Sequence, residues 1–210
     1  MNDRSPGEVR TPRFYGVTKR ALDLTLCALA LPVVLPVGLL CALAIRLESP
    51  GPMLFAQQRT GQHGVRFPMF KFRTMVQNAE ELKASLQHLN ILPPPDFKIP
   101  NDPRITRIGG FLRKTSLDEL PQILNVIRGE MSIVGPRPTS FAASTYDLWH
   151  SERLEVVPGI TGLWQIKGRG TMTFDERLRL DIEYIERWSL WLDVKLLLRT
   201  LAHVLARRGR

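Results

Sequence analysis

Residues 24–45 (LTLCALALPVVLPVGLLCALAI) run without a charge, and no other stretch restricts the chain so strongly. As one helix these 22 residues would reach about 33 Å, close to the thickness of a bilayer core. The run exceeds the apolar part of a signal peptide, about 7–15 residues, so a cleaved leader is not expected despite the cleavage-like Ala42-Leu43-Ala44. Two features argue against a plain span. Pro32 and Pro36 lie near the middle, where each removes a backbone hydrogen bond and crowds the preceding turn. Both flanks are also basic: Lys19 and Arg20 precede the run, and Arg46, Arg59, Arg66, Lys71 and Arg73 follow it. A spanning helix should instead show a Lys/Arg asymmetry between its sides. The favoured reading is a re-entrant helix-break-helix over residues 17–48 that enters one leaflet and returns. A simple span and a buried soluble hairpin are the alternatives.

What surrounds this run has the size of one domain. Lys and Arg number 29 against 20 Asp and Glu, a net charge of +9, which points to an anionic partner: nucleic acid, a membrane surface or a phosphate-bearing substrate. Cys27 and Cys41 both lie inside the apolar run and read as small core or lipid-facing residues, not as a disulfide or a metal site. His63, His88, His150 and His203 are scattered, without the paired spacing that zinc needs. Residues 1–16, polar and basic, read as a disordered lead-in.

Beyond the turn Ser49-Pro50-Gly51-Pro52, residues 49–187 read as a helix-rich α/β domain. Residues 53–57 suit a short strand and 59–64 a hairpin-like loop. Residues 66–75 (RFPMFKFRTM) alternate as a strand, with Phe70 and Phe72 on one face and the cations Lys71 and Arg73 on the other. Those cations are either a charged, protected edge or an anion site. A polar helix over 76–90, a stiff loop at Leu92-Pro93-Pro94-Pro95-Asp96 and a turn-rich loop at 101–107 follow.

Thr115-Ser116-Leu117-Asp118-Glu119-Leu120-Pro121-Gln122 then sets two carboxylates side by side. Ser116 and Glu119 have capping-box spacing, and Leu117, Leu120, Ile123, Leu124 and Ile127 recur at helical spacing. A helix capped by Ser116 would hold Asp118 in its first turn, where negative charge and bound phosphate are both favoured. Arg104, Arg107, Arg113 and Lys114 lead into the pair, and Arg128 and Arg137 follow it. Taken alone, the pair could be nothing more than helix-capping acids.

After a turn at Gly129, Met131–Val134 suits a short buried strand. Arg137 sits between Pro136 and Pro138, a restricted backbone that could pre-position a guanidinium for phosphate or simply expose it in a turn. A helix is expected over 141–156, a tight loop over 157–162, a strand at 163–166 and a charged helix over 174–188. Lys167-Gly168-Arg169-Gly170 is a weak candidate for an anion nest. The segment 188–210 carries Trp188, Trp191, several leucines and spaced cations, which suits either an interfacial helix with a basic tail or a core helix. No internal repeat is visible.

These stretches together, in order from about residue 17 to the C-terminus, resemble the bacterial sugar transferase family of small monotopic phosphoglycosyltransferases. The matching pieces are Lys19-Arg20…Asp23 before the apolar run, Ser49-Pro50-Gly51-Pro52, Lys71-Phe72-Arg73-Thr74-Met75 and Asp102-Pro103-Arg104-Ile105-Thr106. They continue with Arg113 to Gln122, Val134-Gly135-Pro136-Arg137-Pro138, Pro158-Gly159-Ile160-Thr161-Gly162 and the Asp181…Tyr184 helix. The resemblance implies transfer of a phospho-sugar from a nucleotide sugar, expected to be a UDP-sugar, to polyprenyl (undecaprenyl) phosphate, releasing UMP. It casts Asp118 as nucleophile and Glu119 as its assistant, with Mg²⁺ as cofactor at Asp118 and Glu119. Lys71, Arg73, Arg104, Arg113 and Arg137 are the expected phosphate-binding cations. The expected place is the cytoplasmic face of a bacterial inner membrane, at the first membrane step of exopolysaccharide, O-antigen or other glycoconjugate synthesis, with interfacial helices and with monomer and homo-oligomer both left open. The family usually breaks its re-entrant helix at Ser-Pro; here that dipeptide falls at Leu35-Pro36, with Pro32 as an extra proline. Larger members carry extra transmembrane helices that this sequence lacks, so the small catalytic form is expected.

Two rivals make different predictions. A membrane-tethered nucleic-acid-binding protein is favoured only by the net charge and would bind DNA or RNA in a salt-sensitive way with no role for Asp118; nucleic acid is therefore not the expected partner. A transferase that moves the sugar without its phosphate would release a nucleoside diphosphate instead of UMP.

Overall fold

A computed structural model describes residues 14–91, 97–145, 148–168 and 172–206. The expectations for residues 1–13, for the loop Leu92–Asp96, for Arg169 and Gly170 of the glycine-rich nest and for the tail after residue 206 lie outside them. The fold is mixed and helix-rich, with a long apolar helix at its N-terminal end.

That helix, α1, runs from Tyr15 to Glu48, starting two residues earlier than expected. The interruption expected at Leu35-Pro36 is not there: Pro32 and Pro36 lie inside one continuous helix. Each proline removes a single donor, while every other backbone group in the apolar run still needs a partner, which only continued helix supplies. Only 11% of its most apolar window is buried, so α1 is not an ordinary core helix. Tyr15, Lys19, Asp23 and Cys27, four residues apart, are buried, as are Cys41 and Ile45. Between them Leu29, Val33, Leu35 and Leu39 are exposed.

Strands β1 (Leu54–Thr60) and β2 (Arg66–Phe72) form an antiparallel hairpin in which Leu54 faces Phe72 and Thr60 faces Arg66. Strand β2 is covered on both sides. Phe67 and Met69 pack with Cys27, Val126 and Met131, and Phe72 packs with Cys41, Ile45 and Leu112. The segment expected to be a polar helix is reduced to α2 (Glu81–Ser85) and a 3-10 turn over Gln87–Leu89.

Helix α3 (Arg107–Thr115) is capped by Thr106, whose side chain accepts from Gly109 N, and Glu48 of α1 accepts from Ile108 N. Gly109 lets α3 sit directly on the segment after β2: a Cβ there would meet the carbonyl oxygen of Thr74 at 2.1 Å. Next come a 3-10 turn over Leu117–Gln122 and the short helix α4 (Ile123–Arg128). Arg20 of α1 donates to the carbonyls of Val126 and Ile127, satisfying the open end of α4.

Strands β3 (Ser132–Val134) and β4 (Gly159–Thr161) pair in parallel. The helix expected over 141–156 is two 3-10 turns, Ala143–Thr145 and Leu148–Glu155. The strand expected at 163–166 is instead helix α5 (Leu163–Lys167), and the pairing partner of β3 lies in the preceding Pro158–Gly162 loop. Helix α6 (Phe174–Glu186) matches expectation and opens on a complete capping box between Thr173 and Glu176. Helix α7 (Leu190–Leu205) closes the described fold. Tyr184, Ile185 and Leu196 of α6 and α7 share a core with Val134, Val156 and Leu163.

A buried polar knot joins the two ends. Asp193 of α7 accepts from Tyr15 Oη, Lys19 Nζ and Tyr184 Oη, each at 2.7 Å. One turn further along α1, Asp23 accepts from Ser132 Oγ at 2.7 Å and from Ile133 N at 3.2 Å.

Candidate active site

The acid pair is built differently from the expected capped helix. Ser116 is not an N-cap: it ends α3 in the left-handed region, with φ 59°, and its side chain caps nothing in the turn that follows. Glu119 does not reach back to close a box. The physical reason is Pro121. A helix starting after Ser116 would need an N–H at that position, which proline lacks. The chain therefore makes a 3-10 turn through Leu117–Gln122 and becomes α-helical only at Ile123.

The turn lies against β2, and this contact brings the charges together. Glu119 accepts from Lys71 Nζ at 3.3 Å, from Arg137 Nη1 at 3.3 Å and from Arg137 Nη2 in a shorter bond. Each of these three side chains is no more than 16% exposed. Lys71 is thus neither a solvated edge nor a loose cation. Burial works against the Arg137 charge, but Glu119 and then Asp118 outweigh it and hold the guanidinium more firmly protonated than usual.

Asp118, partly buried, is within electrostatic reach of both Arg113 and Arg137. Arg113 donates from Nε to Thr74 Oγ1 at 2.8 Å; burial lowers its pKa, against the pull of Asp118 and Asp102. Five of the seven expected residues therefore converge: Asp118, Glu119, Lys71, Arg113 and Arg137.

Arg73 and Arg104 do not join them. Arg73 is buried and ties down the turn after α1, donating to Pro50 O at 2.6 Å, Ser49 O at 2.9 Å and Ser49 Oγ at 2.8 Å. Arg104 is locked to Asp102 by Nε and Nη2 and to Ala79 O by Nη1. The Arg104 contact holds the Asp102 carboxyl below its usual range, which marks a structural pair.

Behind Arg137 stands a pair that the sequence reading did not assign to the site. Arg153 Nη2 donates to the Arg137 carbonyl at 2.5 Å and lies 2.8 Å from Asp181 Oδ2. Burial pushes the Asp181 carboxyl up to about 7, against the opposing pull of Arg153 and Arg177. Nothing in the spacing of Arg153 distinguishes it from a surface arginine. Asn125, fully buried, was also missed: it accepts from Phe70 N and donates to Pro68 O and Glu130, fixing α4 to the strand that carries Lys71.

Chemically, the site offers one carboxylate committed to cations, a second beside it, and guanidinium and ammonium groups on elements that pack on each other. Asp118 and Glu119 also supply adjacent hard oxygen donors, which suit Mg²⁺; that ion commonly takes one or two carboxylates and leaves its other positions to phosphate and water. No group of three His, Cys, Asp or Glu suited to a metal occurs among the described residues.

A model of bacterial sugar transferases matches residues 14–207. The chain is 45% identical over 195 residues to the galactosyl transferase CpsE of Streptococcus agalactiae, covering 92% of this chain and 43% of that protein. It is 42% identical over 205 residues to an undecaprenyl-phosphate galactose phosphotransferase of Salmonella typhimurium, covering 95% of this chain and 42% of the relative. It is 38% identical over 203 residues to the exopolysaccharide production protein ExoY of Rhizobium meliloti, covering 92% and 88%. The chain thus spans about two fifths of the first two relatives and most of the third. It belongs to the bacterial sugar transferase family.

Proposed function

We propose that this chain transfers a phospho-sugar from a nucleoside diphosphate sugar, with UDP as the nucleotide, to polyprenyl phosphate in two displacements. An Asp118 carboxylate oxygen attacks the sugar-proximal phosphorus. The bond from that phosphorus to the oxygen shared with the nucleotide phosphate breaks, and UMP leaves with the bonding electrons. The phospho-sugar remains on Asp118 as an acyl phosphate. A phosphate oxygen of the polyprenyl carrier then attacks the same phosphorus, the Asp118 oxygen leaves, and polyprenyl diphosphate sugar is formed.

The observation that carries this reading is the division of labour inside the pair. Glu119 holds Lys71 and Arg137, and Arg113 and Arg137 extend their field to Asp118. A carboxylate attacking an anionic phosphate needs such cations to offset repulsion and to stabilise the charge that develops in the transition state. With Mg²⁺ bound, Asp118 and Glu119 would be its protein donors, and the ion would add charge neutralisation for the diphosphate.

The same reading puts the protein on a membrane, at the cytoplasmic face of a bacterial inner membrane, with α1 bent at Pro32 and Pro36 while staying helical, so that it enters and leaves one leaflet. In support, Lys19, Arg20 and Asp23 near one end of α1 bond to Asp193, to the end of α4 and to β3, while Glu48 at the other end bonds to α3. Both ends are thereby tied to one set of packed elements, and the exposed leucines and valines lie between them. A spanning helix would separate its ends by about 30 Å of hydrocarbon. Trp191, Leu198 and Leu201 form an exposed stripe on α7 that suits the interface. The product would enter exopolysaccharide or related glycoconjugate assembly.

The test is incubation of membrane-reconstituted protein with a panel of UDP-sugars and undecaprenyl phosphate, following the released nucleotide. UMP release with at least one sugar, lost on chelation of Mg²⁺ and in Asp118→Ala, is expected. Release of UDP would mean transfer of the sugar without its phosphate and would end the two-displacement account.

A further inference from the structure

Away from the acid pair, helices α5, α6 and α7 enclose a cleft of about 200 Å³ that no step of the proposed reaction uses. Its rim carries Lys167, Arg187, Lys195 and Arg199, with Glu183 as the single carboxylate. Glu183 lies 3.1 Å from Lys167 and 3.1 Å from Arg187, which holds those two cations on the α5–α6 side. Lys195 and Arg199, one turn apart on α7, have no ion-pair partner among the described residues. The cleft therefore keeps an excess of three positive charges. Its floor is apolar, formed by Leu163, Leu192 and Leu196.

The position of the cations on α7 adds the second half of the argument. At about 100° per residue, Trp191, Leu198 and Leu201 share one exposed stripe, and Lys195 and Arg199 stand along its border with the cleft. Lys195 Nζ lies 5.2 Å from the centroid of the Trp191 ring. An exposed apolar stripe edged by cations is the arrangement of a helix lying in a headgroup layer, with its basic side chains at phosphate level. A cleft opening at that border, charged at the rim and apolar at the floor, matches an amphiphile with an anionic head and a hydrocarbon chain.

We propose that this cleft binds the phosphate headgroup of an anionic glycerophospholipid, separately from the carrier lipid used in the reaction. Lys195 and Arg199 contact the phosphate, Lys167 and Arg187 close the far side, and Leu192 and Leu196 meet the start of an acyl chain. The cleft, of about 200 Å³, has room for a phosphate group. The site rests on the membrane association proposed above. Its readout is binding and not turnover, so its failure is distinguishable from failure of the catalytic reading.

The test uses the full chain in a neutral detergent, titrated with phosphatidylglycerol, phosphatidylcholine, inorganic phosphate or undecaprenyl phosphate, with bound lipid counted by native mass spectrometry and the melting temperature followed in parallel. Phosphatidylglycerol should bind at one site and raise the melting temperature, and phosphatidylcholine should not. Lys195→Gln/Arg199→Gln should weaken the phosphatidylglycerol affinity at least tenfold. Arg107→Gln, an exposed cation elsewhere, should leave it unchanged. Lys195→Arg/Arg199→Lys, which keeps both charges, should retain most of the binding. Equal binding of phosphatidylcholine, no loss in the double glutamine variant, the same stabilisation by inorganic phosphate alone, or competition by undecaprenyl phosphate at equal affinity would each overturn the proposal.

Discussion

Replacing Glu119 by glutamine keeps the shape of the side chain and removes the charge that Lys71 and Arg137 share. In the folded protein this carboxylate lies 3.3 Å from Lys71 Nζ and 3.3 Å from Arg137 Nη1, with a shorter bond to Nη2. At an effective dielectric constant of about 20, unit charges at that distance interact by about 5 kcal/mol, most of which desolvation cancels in the intact pair. Removing one partner leaves the desolvation in place. For fully buried pairs that costs about 3–5 kcal/mol, and the 13–16% exposure of these side chains moves the expectation to about 2–3 kcal/mol. For a chain of this length that is a fall of about 5–10 °C in melting temperature. Glu119→Gln, Arg137→Met and the double variant should be compared by thermal unfolding in detergent. The double variant should be less destabilised than the sum of the singles by at least about 1.5 kcal/mol. Additivity within about 0.5 kcal/mol would refute the idea that Glu119 holds Arg137 in the site.

Asp193→Ala removes the acceptor shared by Tyr15, Lys19 and Tyr184, and leaves the buried Lys19 without its direct ion pair, with only Asp23, one turn away on α1, opposing its charge. It should destabilise the fold by about 3–5 kcal/mol and speed tryptic cleavage near Lys19; a change below about 1 kcal/mol would contradict the knot's role. Gly109→Ala drives a methyl group into the Thr74 carbonyl and should cost at least about 1–3 kcal/mol, read as a lower melting temperature, with activity falling as α3 shifts the acid pair. Unchanged melting would show that α3 can move away from Thr74 freely. Asp181 has a distinctive pH signature. Its folded-state value, about 7, lies above its ordinary 3.8, so the folded protein keeps a proton that the unfolded chain has released. The stability it contributes is complete below about 3.8 and is lost as pH rises towards 7. Asp181→Asn should flatten the decline in stability between about pH 5 and 7, a decline to which Asp181 adds at most ~1.4 kcal/mol per pH unit. Parallel slopes for variant and parent would rule this out.

The long apolar helix, the β1–β2 hairpin, α6 and α7 were legible because each has a strong local period or turn chemistry of its own. The expected capped helix at Ser116 shows where a local pattern misleads. Ser116 and Glu119 have the same spacing as Thr173 and Glu176, yet only the second pair closes a box. Pro121, visible in the sequence, denies the first a regular helix, and two long-range cations capture Glu119. The strand expected at Leu163–Ile166 failed because a short apolar run does not choose between strand and helix without knowing its neighbours. Arg73 and Arg104 looked equivalent to Arg137, since a basic residue in a loop does not reveal whether it faces a substrate or a backbone carbonyl. Arg153 and Asn125 act through contacts far away in sequence, where no spacing rule reaches.

The claim at the centre is that Asp118 carries the phospho-sugar between two displacements. Incubating the reconstituted protein with its UDP-sugar in the absence of polyprenyl phosphate, followed by rapid quenching and peptide mass analysis, tests it directly. The account predicts one equivalent of UMP per active site and a mass increment of one phospho-sugar on the peptide containing Asp118, removed when polyprenyl phosphate is added. Formation of the lipid product with no such adduct, or with full activity in Asp118→Asn, would contradict it.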